Sequence, residues 1–305
     1  MKVFITGVNG FIGSHLAKRM IDEGHTVVGL VKDIIPSEWL TEALKSCVLV
    51  RGDIRNISLL KRVLNDYEIE CCIHLAAKSI VKLAYRNPID TFEVNCIGTA
   101  KVLEACRQIA VDRVLVQSTD KVYGNQMNAT VDSKRIPTEP YGTSKICSDL
   151  IAKTYAQNYG MKILITRPCN TYGYDTNNRI IPNTIRSCLR GEAPIIFKND
   201  TSMRQYIYID DLTSCFAWLI CEKTNAGEYL IATEDVKNQE EVVMEILKHF
   251  PHLNPKYIEK PEILEIKNQS MEVKTWPPHW EPKVNFEEGI KLTIEKFKKY
   301  WNSLE

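Results

Sequence analysis

One short segment limits this chain more than any other. Gly7-Val8-Asn9-Gly10-Phe11-Ile12-Gly13 stands directly behind the apolar run Lys2–Thr6 and opens a helical pattern carrying Phe11, Ile12, Leu16 and Met20. That order is strand, tight turn, helix. Gly7 allows the turn, Gly10 lets backbone approach a pyrophosphate, and Gly13 lets the helix pack on the strand. The helix N-terminus then faces the phosphates. The spacing is G-x-x-G-x-x-G rather than G-x-G-x-x-G, and the strand–turn–helix context is what makes it specific for a dinucleotide.

The rest of the first 120 residues repeats the same rhythm. Apolar strands are expected at His25–Val31, Val48–Arg51, Cys71–Ala76 and Arg113–Gln117, with helices at Phe11–Glu23, Glu38–Lys45, Ser58–Asp66 and Asp90–Ile109. Alternating strands and helices give βαβ units and a parallel sheet with right-handed crossovers. Strands without polar alternation, such as Cys72-Ile73-His74-Leu75-Ala76, fit a sheet covered on both faces. His74 on such a strand reads as a packed core histidine. A helix at Tyr141–Tyr159 and a strand at Lys162–Thr166 follow.

After Arg167-Pro168 the rhythm turns irregular, with polar turns around Tyr172–Asn178 and Gly191–Pro194. A strand is expected at Gln205–Ile209 and helices at Asp211–Glu222, near Gln239–Lys248 and at Phe286–Tyr300, around a Pro-rich stretch from Pro251 to Pro282. The fold class is therefore α/β: a Rossmann-type doubly wound parallel sheet with a smaller C-terminal α/β substrate lobe. The dinucleotide-binding domain is expected over residues 1–166, with 205–230 returning to it, and the substrate lobe over 167–204 and 231–305.

Composition narrows the function classes. Lys and Arg total 39 against 38 Asp and Glu, a net charge of +1, so a general attraction to nucleic acid or anionic membrane is not expected. The apolar runs are too short for a membrane-spanning helix, and the first one breaks at Thr6-Gly7, too early for a secretory leader. Ten cysteines are scattered without a Cys-x-x-Cys pair or Cys/His cluster. They read as free thiols of a reducing cytoplasm, with no metal site.

The end of the second strand normally carries the group that reads the adenosine ribose. Lys32 and Asp33 stand there side by side: the carboxylate suits the ribose hydroxyls of NAD, the cation the 2′-phosphate of NADP. The balance leans slightly to NAD. Asp53, after the third strand, is either placed to reach the adenine or a plain turn aspartate.

Tyr141 and Lys145 lie one helical turn apart on one face. A nearby ammonium and a positive nicotinamide would pull the phenol down from about 10, so that it acts as a base near neutrality. Ser118-Thr119-Asp120-Lys121 follows the fifth strand, and the Thr119 hydroxyl can donate or accept at a reacting hydroxyl.

Together these segments resemble the extended short-chain dehydrogenase/reductases, in particular the nucleotide-sugar epimerase/dehydratase group, over essentially the whole chain. The resemblance rests on Thr6-Gly7-x-x-Gly10-Phe11-Ile12-Gly13, Gly52-Asp53, His74-Leu75-Ala76-Ala77, Asn95-x-x-Gly98-Thr99 and Tyr141-x-x-x-Lys145. It continues in Arg167-Pro168-x-Asn170-x-Tyr172-Gly173, Arg204-Gln205-Tyr206-x-Tyr208-x-Asp210-Asp211, Trp280-x-Pro282 and Glu287-Glu288-Gly289. It implies Thr119, Tyr141 and Lys145 as the catalytic triad. It also implies a recycled NAD or NADP held by Gly7, Asn9, Gly10, Phe11, Ile12, Gly13, Lys32, Asp33, Asp53, Ile54, Leu75, Ala76, Ala77, Lys78, Asn95, Tyr141 and Lys145. Lys78, Ser79, Asn170, Arg179 and Arg204 become ligands of a nucleotide-diphosphate sugar, with cations and an amide suited to a pyrophosphate. A homodimer through a four-helix bundle is implied too.

Within that group Asp120-Lys121 looks like the CDP-glucose 4,6-dehydratases, while the Gly29–Lys32 and His74–Val81 segments look equally like the GDP-mannose type. The expected activity is a nucleotide-sugar 4,6-dehydratase, a lyase. Tyr141 takes the O4 proton, one of Asp120 and Lys121 removes the C5 proton, and Asp120 protonates the departing C6 hydroxyl. Lys121 could instead only position substrate or pair with Asp120. A 4-epimerase or keto-sugar reductase on the same triad is the alternative, and a non-catalytic NAD(P)-binding protein a further one.

Overall fold

The computed structural model describes residues 1–33, 37–222, 224–259, 267–273 and 276–301. Parts of the Pro-rich stretch, residues 260–266 and 274–275, lie outside the described residues. The first half runs β1 (Lys2–Thr6), α1 (Phe11–Asp22), β2 (Thr26–Val31), α2 (Glu38–Ala43), β3 (Val48–Arg51), α3 (Ile57–Asp66), β4 (Cys71–His74), α4 (Val81–Arg86), α5 (Pro88–Phe92), α6 (Thr99–Ile109), β5 (Arg113–Gln117), α7 (Pro140–Tyr159) and β6 (Lys162–Pro168). The second half adds β7 (Asn170–Tyr172), α8 (Ile180–Leu189), β8 (Ile195–Lys198), β9 (Met203–Tyr208), α9 (Ile209–Cys221), β10 (Gly227–Ile231), β11 (Val236–Lys237), α10 (Gln239–Leu247), β12 (Lys256–Glu259), β13 (Asn268–Gln269) and α11 (Phe286–Lys299).

Seven parallel strands form the main sheet in the order β10-β6-β5-β4-β1-β2-β3. Order reverses between β1 and β4, so the carboxyl ends of those strands open a crevice where ligands of doubly wound sheets bind. The period-2 geometry of a strand explains why these segments are apolar throughout. Val3, Ile5, Cys71, Ile73 and Leu115 enter one core, while Phe4, Cys72, Val114 and Val116 enter the core on the opposite face. The chain leaves this sheet after β6 and returns to it as β10, which pairs in parallel with β6. The excursion supplies β7, β8 and β9, and the segment after β10 completes their pairing: β9 pairs with β7, β11 and β13 in a second sheet, and β8 pairs in parallel with β12. All ten cysteines are free thiols.

Two expectations change. The long helix over Asp90–Ile109 is a helical path from Pro88 interrupted by a π-helical turn at Glu93–Gly98. There the Asn95 carbonyl accepts from the hydroxyls of Thr99 at 2.6 Å and Ser148 at 2.7 Å. Side-chain hydroxyls of this kind compete with the helical ladder. The segment after Tyr172, expected to be irregular, contains α8. Its N-cap is Arg179, which makes no side-chain capping bond, so the usual start signal is missing.

Candidate active site

The carboxyl ends of β1, β4, β5 and β6 open into one cavity of about 880 Å³. Its floor at the first turn is the glycine segment. Gly7 has φ +71°, and a Cβ there would stand 2.9 Å from the Ala76 backbone; a Cβ on Gly13 would stand 2.1 Å from the Gly7 carbonyl oxygen. Both positions exclude a side chain by backbone collision. No side chain caps the start of α1 at Gly10, so backbone amides face the cavity as a site for phosphate.

The neighbouring wall is fixed by a buried hydrogen-bond chain. Thr6 Oγ1 accepts from the Leu75 and Ala76 amides, both at 3.2 Å, and meets His74 Nδ1 at 2.7 Å; His74 Nε2 meets Thr99 Oγ1 at 3.0 Å. Burial holds the His74 pKa down at about 3, so the ring is neutral and structural. Asn95 clasps the same wall, accepting from Lys78 N at 2.8 Å and donating to Ser144 Oγ at 2.8 Å.

Lys32 lines the cavity and Asp33 does not. Lys32 Nζ lies 3.4 Å from Asp53 Oδ2, while the Asp33 carbonyl accepts from Asn9 Nδ2 at 2.6 Å. Asp53 lines the cavity, but its carboxylate is shared with Arg55, whose guanidinium approaches to 2.8 Å and whose amide donates at 2.9 Å. That contact above all holds the Asp53 carboxyl far below its ordinary range.

At the other end of the cavity a single 3-10 turn, Asp120–Tyr123, follows β5 and is capped by Thr119. The Thr119 hydroxyl donates to Asp120 Oδ1 at 3.0 Å, and it acts to lower the pKa of the Tyr141 phenol. Lys121 Nζ reaches Asp120 Oδ1 at 3.0 Å and Oδ2 at 3.1 Å, Asn170 Oδ1 at 3.3 Å and Gln269 Oε1 at 2.6 Å. Burial lowers the Lys121 pKa against the pull of Asp120.

Tyr141 lines the cavity near the start of α7, where Glu139 Oε2 accepts from its amide at 2.7 Å. The fall expected with a nicotinamide bound has burial to overcome: burial pushes the phenol well above 10, and Thr119 only partly offsets this. Lys145 is itself lowered to about 8 by burial, and its ammonium donates to the Gln117 carbonyl. The protein's own groups therefore hold Tyr141 as a phenol, and the added charge of a nicotinamide is the part of the expected stabilisation that they do not supply.

A further wall of the cavity carries Arg179, whose guanidinium lies 5.9 Å from the Phe11 ring centre and so bridges the glycine turn and α8. Its Nε stands 3.7 Å from Asp175 Oδ2. Arg204, also in the wall, donates to the carbonyls of Met203 and Lys267 at 2.9 and 2.8 Å. Of the residues expected from sequence, Asp33, Asn95 and Lys145 do not line the cavity; the remainder do.

Three further residues belong to this site. Gln269 is buried on β13 and had no local signal. Glu139 had one, the Glu-Pro pair at a helix start; it is buried and its pKa is raised by that burial. Ser118 lines the cavity, and its buried hydroxyl has no hydrogen-bond partner. Among the described residues no three His, Cys, Asp or Glu side chains gather as a metal site, and no helix is long and apolar enough to cross a membrane.

Residues 3–232 match the NAD dependent epimerase/dehydratase family. A trifunctional UDP-glucose 4,6-dehydratase/3,5-epimerase/reductase of Arabidopsis thaliana is 28% identical over 96% of this chain, and the chain spans 46% of that protein's length. The UDP-glucose 4-epimerase of Thermus thermophilus, solved with NAD, superposes with a TM-score of 0.90 at 26% identity, covering 98% of this chain and 99% of that one. The dTDP-glucose 4,6-dehydratase DesIV of Streptomyces venezuelae, also solved with NAD, gives a TM-score of 0.88 at 25% identity, with both chains fully covered.

Proposed function

The chain belongs to the NAD dependent epimerase/dehydratase family, and from its site we propose a nucleotide-sugar 4,6-dehydratase. The observation that carries this reading is the Asp120–Lys121 pair beside Thr119 at the end of β5, with Asp120 buried and Lys121 partly buried. An epimerase has no use for an acid and a base at this point. Ser118, the glycine turn and the uncapped start of α1 fit an NAD, with Asp53 set against Lys32 where a 2′-phosphate would need a free cation.

When bound, the nicotinamide supplies a hydride acceptor that takes hydrogen from sugar carbon 4 and later delivers it to carbon 6. Tyr141 holds the proton of the O4 hydroxyl, oriented by Thr119. The 4-keto group acidifies the C5 hydrogen. Asp120 and Lys121 share one proton across a 3.0 Å contact. Moving it from nitrogen to oxygen converts ammonium and carboxylate into amine and carboxylic acid. Desolvation of Lys121 favours its amine form. The amine then takes the C5 proton, and the acid gives its own to the departing C6 hydroxyl. Arg179, Arg204 and Asn170 hold the nucleotide diphosphate, on a lobe formed by residues 167–204 and 231–305. A homodimer packed through α6 and α7 fits the exposed Ile97 on the π-helical turn before α6 and the exposed Leu150 and Tyr159 on α7.

A 4-epimerase is the second reading. It is favoured by the four acceptor atoms around Lys121 Nζ, which also describe a cation used only to brace the site. A panel of nucleotide sugars with product analysis separates the two. A 4-keto-6-deoxy product supports the dehydratase; a C4 epimer with no loss of water overturns it.

A further inference from the structure

The four oxygen atoms around Lys121 Nζ are of two kinds. Asp120 Oδ1 and Oδ2 belong to a carboxylate, which can take a proton outright. Gln269 Oε1, at 2.6 Å, and Asn170 Oδ1, at 3.3 Å, belong to amides, which here only accept a hydrogen bond. Neither amide can turn round. Gln269 Nε2 donates to the Asp120 carbonyl at 2.8 Å and to the Gly124 carbonyl at 3.3 Å. Asn170 Nδ2 donates to the Gln205 carbonyl at 3.1 Å. A reversed amide would set its oxygen against a carbonyl oxygen and its own N–H groups against the Lys121 nitrogen.

On the dehydratase reading above, we propose that Gln269 is a positioning residue for the elimination step, fixing the direction in which the amine of Lys121 points its lone pair. An ammonium carries three N–H bonds. When one proton passes to Asp120, two N–H bonds remain, and the two amide oxygens match them. The lone pair is left on the side of the nitrogen that neither amide occupies. With Gln269 gone, one N–H loses its acceptor and the amine is free to turn its lone pair away from the C5 hydrogen.

The position of Gln269 is itself built by long-range contacts. β13 runs parallel to β9 with Gln269 opposite Arg204. The buried Gln205 side chain accepts from the Met271 amide at 2.9 Å and donates to the Met271 carbonyl at 3.1 Å. On the other side the Ser270 amide donates to the Gln126 carbonyl at 3.1 Å, and the Ser270 carbonyl accepts from the Ala129 amide at 3.0 Å. Gln269 is therefore buried between β9 and the loop that follows the acid–base turn. A group held from both sides keeps its orientation from one turnover to the next, which is what a reacting nitrogen requires of its support.

A dehydratase turnover has two parts that can be timed separately. Hydride leaves C4 with the help of Tyr141 and Thr119, and elimination follows at Asp120 and Lys121. Gln269→Met keeps the length of the side chain and removes the amide. In a single turnover of the enzyme loaded with NAD, this variant should reduce the bound cofactor at the wild-type rate. Its later reoxidation should slow ~10²-fold, the order of loss expected when a reacting group is misplaced by about 1 Å. Reduced cofactor then accumulates, read by its near-ultraviolet absorbance, while the Michaelis constant stays near that of wild type. Lys121→Met should show the same block. Adding Gln269→Met to it should slow reoxidation no further, since Gln269 acts through Lys121. A glutamine that only braced the fold would slow both parts alike, and its loss would add to that of Lys121; either result overturns the proposal. Should Gln269→Met not fold, Gln269→Glu carries the test. A carboxylate beside Nζ holds the ammonium and leaves elimination short of amine, so reduced cofactor should accumulate again, and its failure to do so overturns the proposal. If wild type releases no 4-keto-6-deoxy sugar, the dehydratase reading has failed and the role of Gln269 falls with it. If wild type releases that product and Gln269→Met accumulates no reduced cofactor, the role of Gln269 alone has failed.

Discussion

At the dinucleotide end of the cavity the working groups come from seven consecutive residues, Gly7 to Gly13. At the acid–base end Lys121 is held by Asp120, by Asn170 beyond β6 and by Gln269 on β13. The first region is a local structure that recruits a ligand. The second exists only after the chain has left the sheet, wrapped and returned. Local strain and backbone collision dictate the first. Long-range packing and buried hydrogen bonds dictate the second, where a lost partner leaves a buried polar group unsatisfied.

Variants should separate along that division. The largest effect belongs to Tyr141→Phe, which removes one hydroxyl and leaves the ring. Fold and cofactor binding should survive while turnover falls ~10²–10⁴-fold; a wild-type rate would remove Tyr141 from the chemistry. Gly13→Ala attacks the local region, forcing a Cβ against the Gly7 carbonyl at a cost of about 1–3 kcal/mol. It should purify with much less dinucleotide, measured on the supernatant after denaturation, and full retention would break the argument for the turn. Gln269→Leu attacks the distant support and should do the reverse. Dinucleotide is kept, stability falls by about 1–3 kcal/mol in denaturant titration, and turnover drops more than the Michaelis constant changes. Equal loss of dinucleotide in both variants would mean the two ends are one cooperative unit.

The same division governs what could be read from sequence. Six of the seven strands of the sheet, β1 to β6, were visible as apolar runs, most of them buried on both faces, while β10, which opens with Gly227-Glu228, was not; the expected helices showed as stripes of period near 3.6. The glycine turn was visible for the same local reason, as were Thr119, Asp120 and Lys121 at a strand end and Tyr141 and Lys145 on one helix face. Gln269 was not, because a glutamine in a two-residue strand has no pattern; only β9 beside it gives it a place. Helix α8 was hidden by its uncapped start, and the π turn by hydroxyl bonds to Asn95 that no periodicity encodes. The burial that holds the Tyr141 phenol up was not legible either, because sequence spacing shows the Tyr–Lys pairing but not what surrounds the ring.

The claim that Asp120 and Lys121 perform elimination is tested most directly by following one hydrogen. A nucleotide sugar deuterated at C4 is turned over in ordinary water and the product is read by mass spectrometry and NMR. The account predicts deuterium at C6 of a 4-keto-6-deoxy sugar. Deuterium retained at C4 with inverted configuration would contradict it and make the chain an epimerase.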